Sequence, residues 1–323
     1  MSELRIVSFL PSATEMVCAL GLADHLVGVT HECDYPPEVR RKPVVVRNAL
    51  PLQTMSLGEI DAAVSQRIRS GLSLYEVDEE LLRQLAPTLL LTQNLCQVCA
   101  PSGNEVTRLL RTLQPAPQIL WLTPHSLRDI EDNLREVAKA TGRSAQANAL
   151  IADGRRKLDE VAAVTSRAAT RPRVFCVEWV DPLYGSGHWV PEMVSLAGGI
   201  DSLSRPGQDS VRVSWEQIRK WAPQVLIVNP CGFSLAEATR QATALLTQPG
   251  WSELPAVREG RVYAVDANAY FARPGPRLID GVRLLAELIH PELFPQKLMS
   301  HAFARVTKAE AAMSRSNRNP GIP

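Results

Sequence analysis

The chain has 323 residues, 45% of them hydrophobic, and a formal net charge of +1 at pH 7. A chain of this length is expected to form two domains, each with a core of its own. The balanced charge argues against a nucleic-acid partner and a polybasic membrane anchor, and the apolar run of about 18 residues that spans a bilayer is absent. We therefore expect the partner to be a small-molecule ligand.

Apolar runs that alternate with helical patterns predict an α/β first half. Pro11 ends the first strand, and Ser12 to Glu15 has the form of a capping box for a helix over 16–22. Asp78 is expected to cap a later helix. The strands predicted in this half are 6–10, 26–30, 43–46, 88–91 and 118–122.

From residue 126 to about 167 apolar residues recur at helical spacing, with hardly a strand signal. Because flexible connections of this length are uncommon in compact domains, the segment is predicted to be a linking helix, with Gly142 as a kink or break. Ser214 and Ser234 begin two further capping boxes in the second half. The strands predicted there are 173–177, 225–228 and 261–265.

These elements predict an α/β fold in which two βα lobes with mostly parallel sheets are joined by a long linking helix. Ligands of such sheets bind at the carboxyl ends of the strands. The predicted boundaries are 1–125 for the N-terminal lobe, 126–168 for the linking helix, 169–295 for the C-terminal lobe and 296–323 for a flexible tail.

Cysteines follow several of the predicted strands. Cys96 and Cys99 lie in the loop 92–103, and two thiols at this spacing can approach one atom. The pair therefore suits a soft metal, an iron–sulfur cluster or a redox dithiol, and it also suits two ordinary thiols in a ligand-lining loop. Cys33 and Cys231 follow two other strands, so a four-cysteine metal site forms if all four meet.

Polar and aromatic residues occupy the same kind of position. Glu178 and Trp179 directly follow the strand at 173–177, and His188 and Trp189 lie in a glycine-bearing loop whose N–H groups suit an anionic or amide group. Large flat ligands are held by aromatic faces with a few polar groups. The other candidates for ligand contact are His31, Tyr35, Phe233, Tyr270 and Arg273.

For three of these residues an ordinary structural role is equally open. His31 suits a solvent-exposed or capping histidine, His188 suits simple turn chemistry, and Arg273 suits either a solvated charge or the partner of a carboxylate or phosphate. We name no catalytic residue, because the paired acids Glu32 and Asp34 lack a third group to separate their pKa values.

Four sequence features, taken in their order along the chain, resemble those of a known family. These are the first strand running into LPSATE, a second strand ending in DYPP, the long helix and a closing RPGPRL segment. Over residues 5–292 the chain resembles the substrate-binding proteins of cobalamin and iron-siderophore ABC importers, above all the vitamin B12-binding branch. The resemblance implies a class III fold with a helical backbone and a corrinoid held between the lobes, where His31 could face the corrin or bind cobalt.

The first ten residues pass directly into a strand, without the basic region, apolar core and cleavage site of an export signal. This predicts a cytoplasmic location and argues against an ABC permease partner. In a reducing compartment the six cysteines are expected to be thiols, metal ligands or redox groups.

Two functional hypotheses follow. The first is a cytoplasmic protein that binds a corrinoid or a related metal-bearing ligand in the cleft between the lobes. The second is an enzyme on the same scaffold that uses a thiolate-bound metal or an iron–sulfur cluster. Serine hydrolysis, phosphoryl transfer and zinc-protease chemistry are not expected, because their GxSxG, GxxxxGK[ST] and HExxH motifs do not occur.

Overall fold

The computed structural model describes residues 3–93 and 113–307, and the chain divides into two compact units. Unit 1 contains Met1–Asp153 with Pro274–Pro276, and unit 2 contains Gly154–Arg273 with Arg277–Pro323. Each unit has its own mixed sheet flanked by helices. The predicted α/β fold class with two lobes is confirmed, whereas the predicted domain boundaries stay predictions.

The described residues of unit 1 form a six-stranded sheet. Its strands are β1 (Ile6–Ser8), β2 (Leu26–Thr30), β3 (Val44–Asn48), β4 (Tyr75–Val77), β5 (Leu89–Thr92) and β6 (Gln118–Trp121). They are ordered β4-β3-β2-β1-β5-β6, and β4 alone among them pairs antiparallel, at one edge. The residues of β1 and β5 are all buried, which is typical of central parallel strands.

Among the described residues of unit 1, the helices α1 (Pro11–Ala19), α2 (Leu57–Arg69) and α3 (Glu79–Leu85) each follow a strand. Asp78 caps α3 as predicted, since its Oδ1 accepts from the Leu81 N–H over 2.9 Å. The capping box predicted at Ser12 is wrong. The helix α1 begins at Pro11, whose missing N–H suits a first helical turn, so that Ser12 and Glu15 are buried inside the helix.

The predicted linking segment forms two helices, α4 (Leu127–Thr141) and α5 (Ser144–Thr165). Gly142 ends α4 with a left-handed backbone, φ 70°, a conformation that glycine adopts without steric cost. The division between the two units falls inside α5, at Asp153.

The described residues of unit 2 also form a six-stranded sheet. Its strands are β7 (Val174–Val180), β8 (Leu183–Gly185), β9 (Val211–Arg212), β10 (Val225–Val228), β11 (Val262–Val265) and β12 (Phe303–Arg305). They are ordered β12-β11-β10-β7-β8-β9; β10 pairs parallel with both β7 and β11, whereas the pairs β11–β12, β7–β8 and β8–β9 are antiparallel. Strand β12 lies within the range predicted as a flexible tail, where its pairing with β11 orders the backbone.

The helices described in unit 2 are α6 (Val190–Leu196), α7 (Trp215–Trp221), α8 (Leu235–Ala242), α9 (Pro255–Arg258), α10 (Ala267–Tyr270) and α11 (Leu278–Ile289). The capping boxes predicted at Ser214 and Ser234 are confirmed. Ser214 begins the helix that follows β9, and Ser234 begins the helix that follows β10.

The same strand–helix junction is found in both units. Arg5 precedes β1, and its Nε donates to the carbonyl of Leu85 at the end of α3 over 2.8 Å. Arg173 precedes β7, and its Nε donates to the carbonyl of Ala222 after α7 over 3.0 Å. Ala86 and Ala222 both have left-handed backbones after their helices. Each guanidinium thus satisfies carbonyls that a helix leaves open at its C-terminus.

A buried carboxylate holds the chain that follows α11. Glu287 is fully buried, and its Oε1 accepts from Arg283 Nε over 2.8 Å and from the Leu298 N–H over 3.3 Å. Its Oε2 accepts from the Met299 N–H over 3.3 Å. The Arg283 guanidinium also lies 4.5 Å from the ring centre of Phe294. These contacts fix the path of the backbone that leads to β12.

Candidate functional site

In unit 2, the ends of β7 and β10 bring one acidic and two aromatic residues together. Glu178 and Trp179 lie near the end of β7, and Phe233 lies in the loop after β10. The rings of Trp179 and Phe233 are 5.8 Å apart between centroids and inclined by 40°. Both side chains are half-buried. This aromatic pair therefore presents an apolar surface at the sheet edge where ligands of open α/β sheets bind.

A β-bulge lies at Glu178. Val177 is paired with Gly185 and Trp179 with Tyr184, so β7 uses two residues where β8 uses one. A bulge interrupts the alternation of side chains between the two faces of a strand and is frequent beside functional sites. The bulge explains why two adjacent residues, Glu178 and Trp179, both take part in this cluster.

The carboxyl group of Glu178 is held by the two loops that follow β8. Its Oε1 accepts from Ser210 Oγ over 2.7 Å, and its Oε2 accepts from the Gly187 N–H over 3.3 Å. Burial raises the pKa of Glu178 above its ordinary value, while the hydrogen bonds from Ser210, Gly187 and Ser186 oppose that shift. A protonated Glu178 can donate a hydrogen bond to a ligand, and an ionised one can accept.

Behind Glu178 two buried polar residues connect β10 to the loop after β8. Asn229 Nδ2 donates to Ser186 Oγ over 3.1 Å, and the Ser186 N–H donates to the carbonyl of Cys176 over 3.1 Å. Both side chains are almost completely buried. Because buried polar groups are costly without partners, this pair fixes the loop in one conformation.

The indole nitrogen of Trp179 is buried and has no hydrogen-bond partner within the described ranges 3–93 and 113–307. A buried N–H that loses its bond to water costs about 1–3 kcal/mol. An acceptor supplied by a buried water at this position would remove that cost.

His188 and Trp189 have different surroundings. The His188 backbone is left-handed, φ 52°, and its Nε2 lies 3.2 Å from Asp209 Oδ1. Trp189 is only 5% exposed, and its Nε1 donates to the carbonyl of Phe271 over 2.7 Å. The structure therefore places Trp189 in the core of unit 2, where little of its ring is available to a ligand.

The last two candidates of unit 2 lie after β11. Tyr270 ends α10 and is half-buried, with its hydroxyl 3.2 Å from Nε2 of His301. Arg273 is half-buried at the end of this stretch of unit 2. His301 was not predicted from the sequence, because it lies in the range 296–323 that was expected to be a flexible tail.

In unit 1, the loop after β2 carries the candidates His31 and Tyr35. His31 Nδ1 lies 3.2 Å from the carbonyl of Val46 on β3, and Tyr35 is 44% exposed. A cavity of about 210 Å³ opens beside this loop, and its polar lining consists of Thr30, His31, Cys33, Asp34 and Arg40. Sites for drug-sized ligands measure about 300–1,000 Å³, so this cavity cannot enclose a macrocycle. Contact of His31 and Tyr35 with a ligand stays a prediction.

The predicted four-cysteine metal site gains no support. Cys96 and Cys99 lie outside the described residues, Cys231 is exposed, and Cys33 is buried with its Sγ 3.1 Å from Thr14 Oγ1. In the part of the chain that the structure describes, no group of three or more His, Cys, Asp or Glu is placed to hold a metal ion. That part also lacks a helix with the length and apolar character needed to cross a membrane.

Residues 6–269 match the model of a family described as periplasmic binding protein. A vitamin B12-binding protein of Vibrio cholerae is 26% identical over 281 residues, 86% of each chain. An uncharacterised ABC transporter substrate-binding lipoprotein of Bacillus subtilis is 26% identical over 301 residues, 90% of this chain and 82% of its own. A solved periplasmic haem-binding protein of Roseiflexus sp. RS-1 gives a TM-score of 0.68 at 24% identity and covers 90% of this chain and 100% of its own.

Two α/β lobes with mixed sheets define a class III solute-binding fold, and the predicted resemblance is confirmed. The chain belongs to the periplasmic binding protein family.

The predicted cytoplasmic location is wrong, because the family is described as periplasmic binding protein, the Bacillus subtilis relative is a lipoprotein and the Roseiflexus protein is periplasmic. The prediction used the first ten residues, but export signals are removed from mature proteins, so these residues do not report the compartment. The expectations that an ABC permease is not the partner and that the cysteines are kept reduced both depended on a cytoplasmic location. Neither is supported any longer.

Proposed function

We propose that the protein binds a corrinoid of the cobalamin type, and that Trp179, Phe233 and Glu178 form part of the site. The aromatic pair at the ends of β7 and β10 is the observation that carries this proposal, because broad flat ligands are held by aromatic faces. The 26% identity to a vitamin B12-binding protein over 86% of the chain supports the choice of ligand class.

Each residue has a distinct proposed role. Trp179 and Phe233 provide apolar contact to one side of the macrocycle, which removes a large area from water. The carboxyl group of Glu178 bonds to the amide groups at the edge of a corrin. Ser210 and Gly187 hold the carboxyl group and so set its direction.

The test is titration of the purified protein with cyanocobalamin by calorimetry, with haemin and an iron(III) siderophore as competing ligands. We expect cyanocobalamin to bind, and Trp179→Ala or Phe233→Ala to weaken binding about 30-fold, which is typical of a central aromatic contact. Trp215→Phe is the matched control, because Trp215 is a half-buried tryptophan that stacks on Trp251 at 6.0 Å.

Three outcomes contradict the proposal in different ways. If haemin or the siderophore binds and cyanocobalamin does not, the ligand is a haem or a siderophore and not a corrinoid. Equal losses in the control and in Trp179→Ala would show that the site lies elsewhere. No binding of any of the three ligands would remove the proposed ligand class.

The alternative of a metal-dependent enzyme receives no support from the family match or from the described cysteines. Anaerobic purification followed by measurement of bound iron, zinc and cobalt addresses it directly. Near-stoichiometric iron or zinc that is lost in Cys96→Ser would restore that alternative.

A further inference from the structure

Two thiols of unit 1 lie beside the same threonine. Cys33 is buried in the loop after β2, and its Sγ lies 3.1 Å from Thr14 Oγ1 on α1. Cys18 is half-buried on the same helix, one turn after Thr14. Residues four apart in a helix are neighbours on one face, and every Cα–Cβ bond tilts toward the preceding turn. The Cys18 side chain therefore starts toward the turn that Cys33 Sγ contacts.

The electrostatics of Cys18 agree with this placement. Burial raises the pKa of the Cys18 thiol to about 11, Lys42 opposes the shift, and a negative charge on Cys33 adds to it. A like charge raises the pKa of a thiol when the two groups are close together, because it disfavours a second charge. The two sulfur atoms are thus within electrostatic reach of each other.

The backbone that carries Cys33 is held against the sheet. The Cys33 N–H donates to the carbonyl of Thr30 over 3.1 Å, and the Glu32 N–H donates to Thr30 Oγ1 over 2.9 Å. Thr30 itself is paired with Val46 on β3. Because this loop is ordered already, a bond between Cys33 and Cys18 would restrict the unfolded chain far more than the folded one.

The cavity of about 210 Å³ in unit 1 gives a reagent access to Cys33. Cys33 lines this cavity together with the polar residues Thr30 and Asp34. The cavity is smaller than the sites that hold drug-sized ligands. Its size and its mixed polar and apolar lining suit a small neutral disulfide.

We propose that Cys18 and Cys33 form a disulfide by exchange with a small disulfide that enters this cavity. The Cys33 thiolate attacks one sulfur of the reagent, which gives a mixed disulfide and releases one thiolate. The Cys18 thiolate then attacks the Cys33 sulfur and releases the second thiolate. The reagent is reduced by two electrons, and the two protons lost by the cysteines end on the two thiols released.

The family provides a setting in which such a bond persists. Disulfides are stable in oxidising compartments such as the periplasm, and the family is described as periplasmic binding protein. The bond closes the loop from residue 18 to residue 33 and joins α1 to the loop after β2. This inference does not depend on which ligand the protein binds.

Peptide mass mapping without reduction tests the assignment. The folded protein is incubated with hydroxyethyl disulfide in the absence of oxygen, and its products are followed over time. We expect a mixed disulfide at Cys33 first and a linked Cys18–Cys33 peptide pair afterwards. Because the Cys18 thiol is mostly protonated well below pH 11, the second step should accelerate about tenfold for each unit from pH 7 to pH 9.

Two variants and a stability measurement accompany the mapping. Cys18→Ser should stop the reaction at the mixed disulfide on Cys33. Cys231→Ser is the matched control, because it removes an exposed thiol and should leave the linked pair unchanged. Formation of the link should raise the thermal midpoint of wild type by about 5 °C, and the same treatment should not raise that of Cys18→Ser.

Any of four results would overturn the inference. Cys33 is not modified in the folded protein, or its mixed disulfide does not transfer to Cys18 at pH 9. Cys33 links to a different cysteine, or the thermal midpoint falls when the link to Cys18 forms. The mapping uses folded wild type, so it decides the question even if a variant fails to fold.

Discussion

Ser210 donates its hydroxyl hydrogen to Glu178 Oε1 over 2.7 Å, across 32 residues of sequence. This bond opposes the effect of burial on Glu178, because it stabilises the ionised carboxylate. Ser210 therefore influences both the direction of the carboxyl group and the pH at which it holds a proton.

Replacement of Ser210 by alanine should destabilise the protein by about 1–2 kcal/mol at pH 8. The folded-state pKa of Glu178 is already raised, so its contribution to stability is complete below the unfolded pKa and is lost as pH rises through the folded pKa. Loss of the Ser210 donor raises that pKa further. The difference between wild type and variant should therefore be larger at pH 8 than at pH 4.5, as measured by urea unfolding.

The control for this experiment is Ser202→Ala, because Ser202 is exposed. It should leave the free energy of unfolding within about 0.5 kcal/mol of wild type at both pH values. An equal loss for Ser210→Ala at the two pH values would contradict the link to Glu178.

Asp201→Asn should stabilise the protein, by about 1 kcal/mol at pH 8. Asp201 Oδ1 accepts from the N–H groups of Leu203 and Ser204, whereas Oδ2 is buried and has no partner among the residues that the structure describes. Asparagine keeps the acceptor and carries no charge.

The pH dependence gives this second prediction its direction. Burial raises the pKa of Asp201, so wild type loses stability as pH rises through the folded pKa, whereas the neutral amide does not. The advantage of the variant should therefore grow from pH 4 to pH 8 in chemical unfolding. A stabilisation that is largest at low pH would contradict this explanation.

Gly187→Ala should cost about 3 kcal/mol and weaken ligand binding. A Cβ at this position would lie 2.4 Å from the backbone nitrogen of Ser210, so one of the two loops that hold Glu178 must move. Gly154→Ala is the control. Gly154 lies in the helix α5, where alanine is a better helix former than glycine. A Cβ at Gly154 would lie 3.5 Å from Ile279, an ordinary van der Waals distance. Thermal unfolding of the two variants distinguishes crowding from a general intolerance of alanine.

The cysteines should differ widely in reactivity. Burial raises the pKa of the Cys18 thiol to about 11, so at pH 8 only about one molecule in a thousand holds the reactive thiolate. Cys231 is exposed, so iodoacetamide should modify it well before Cys18. Peptide mass mapping over time measures each site separately. Modification of Cys18 at the rate of Cys231 would show that the thiol of Cys18 is not protected.

The parallel strands could be predicted from the sequence because each is a short apolar run followed by a turn. The antiparallel strands β4, β8, β9 and β12 could not, since none exceeds three residues and no periodicity can develop over that length. Their pairing is decided by tertiary contacts, as when β12 joins β11 from the far end of the chain.

The same limit applies to the site. Glu178, Trp179 and Phe233 were predicted because they follow strands. Ser210 and His301 were not, since each contacts its partner across more than 30 residues without a local pattern. Trp189 was a candidate for ligand contact because it lies in a glycine-bearing loop, and that contact stays a prediction. Its indole N–H donates to the carbonyl of Phe271, 82 residues away, which no local pattern indicates.

Arg5 and Arg173 have matching environments, so the effect of a substitution measured at one of them should predict its effect at the other. Their own N–H groups also have matching partners, Thr88 Oγ1 at 2.9 Å and Gln224 Oε1 at 3.1 Å, so the two environments agree in both side-chain and backbone bonds. Lysine lacks the Nε–H that reaches the helix end, and the free-energy loss found for Arg5→Lys should forecast that for Arg173→Lys. The same substitution can thus be made at two junctions of one chain that share their local hydrogen bonds and differ in the surrounding sequence.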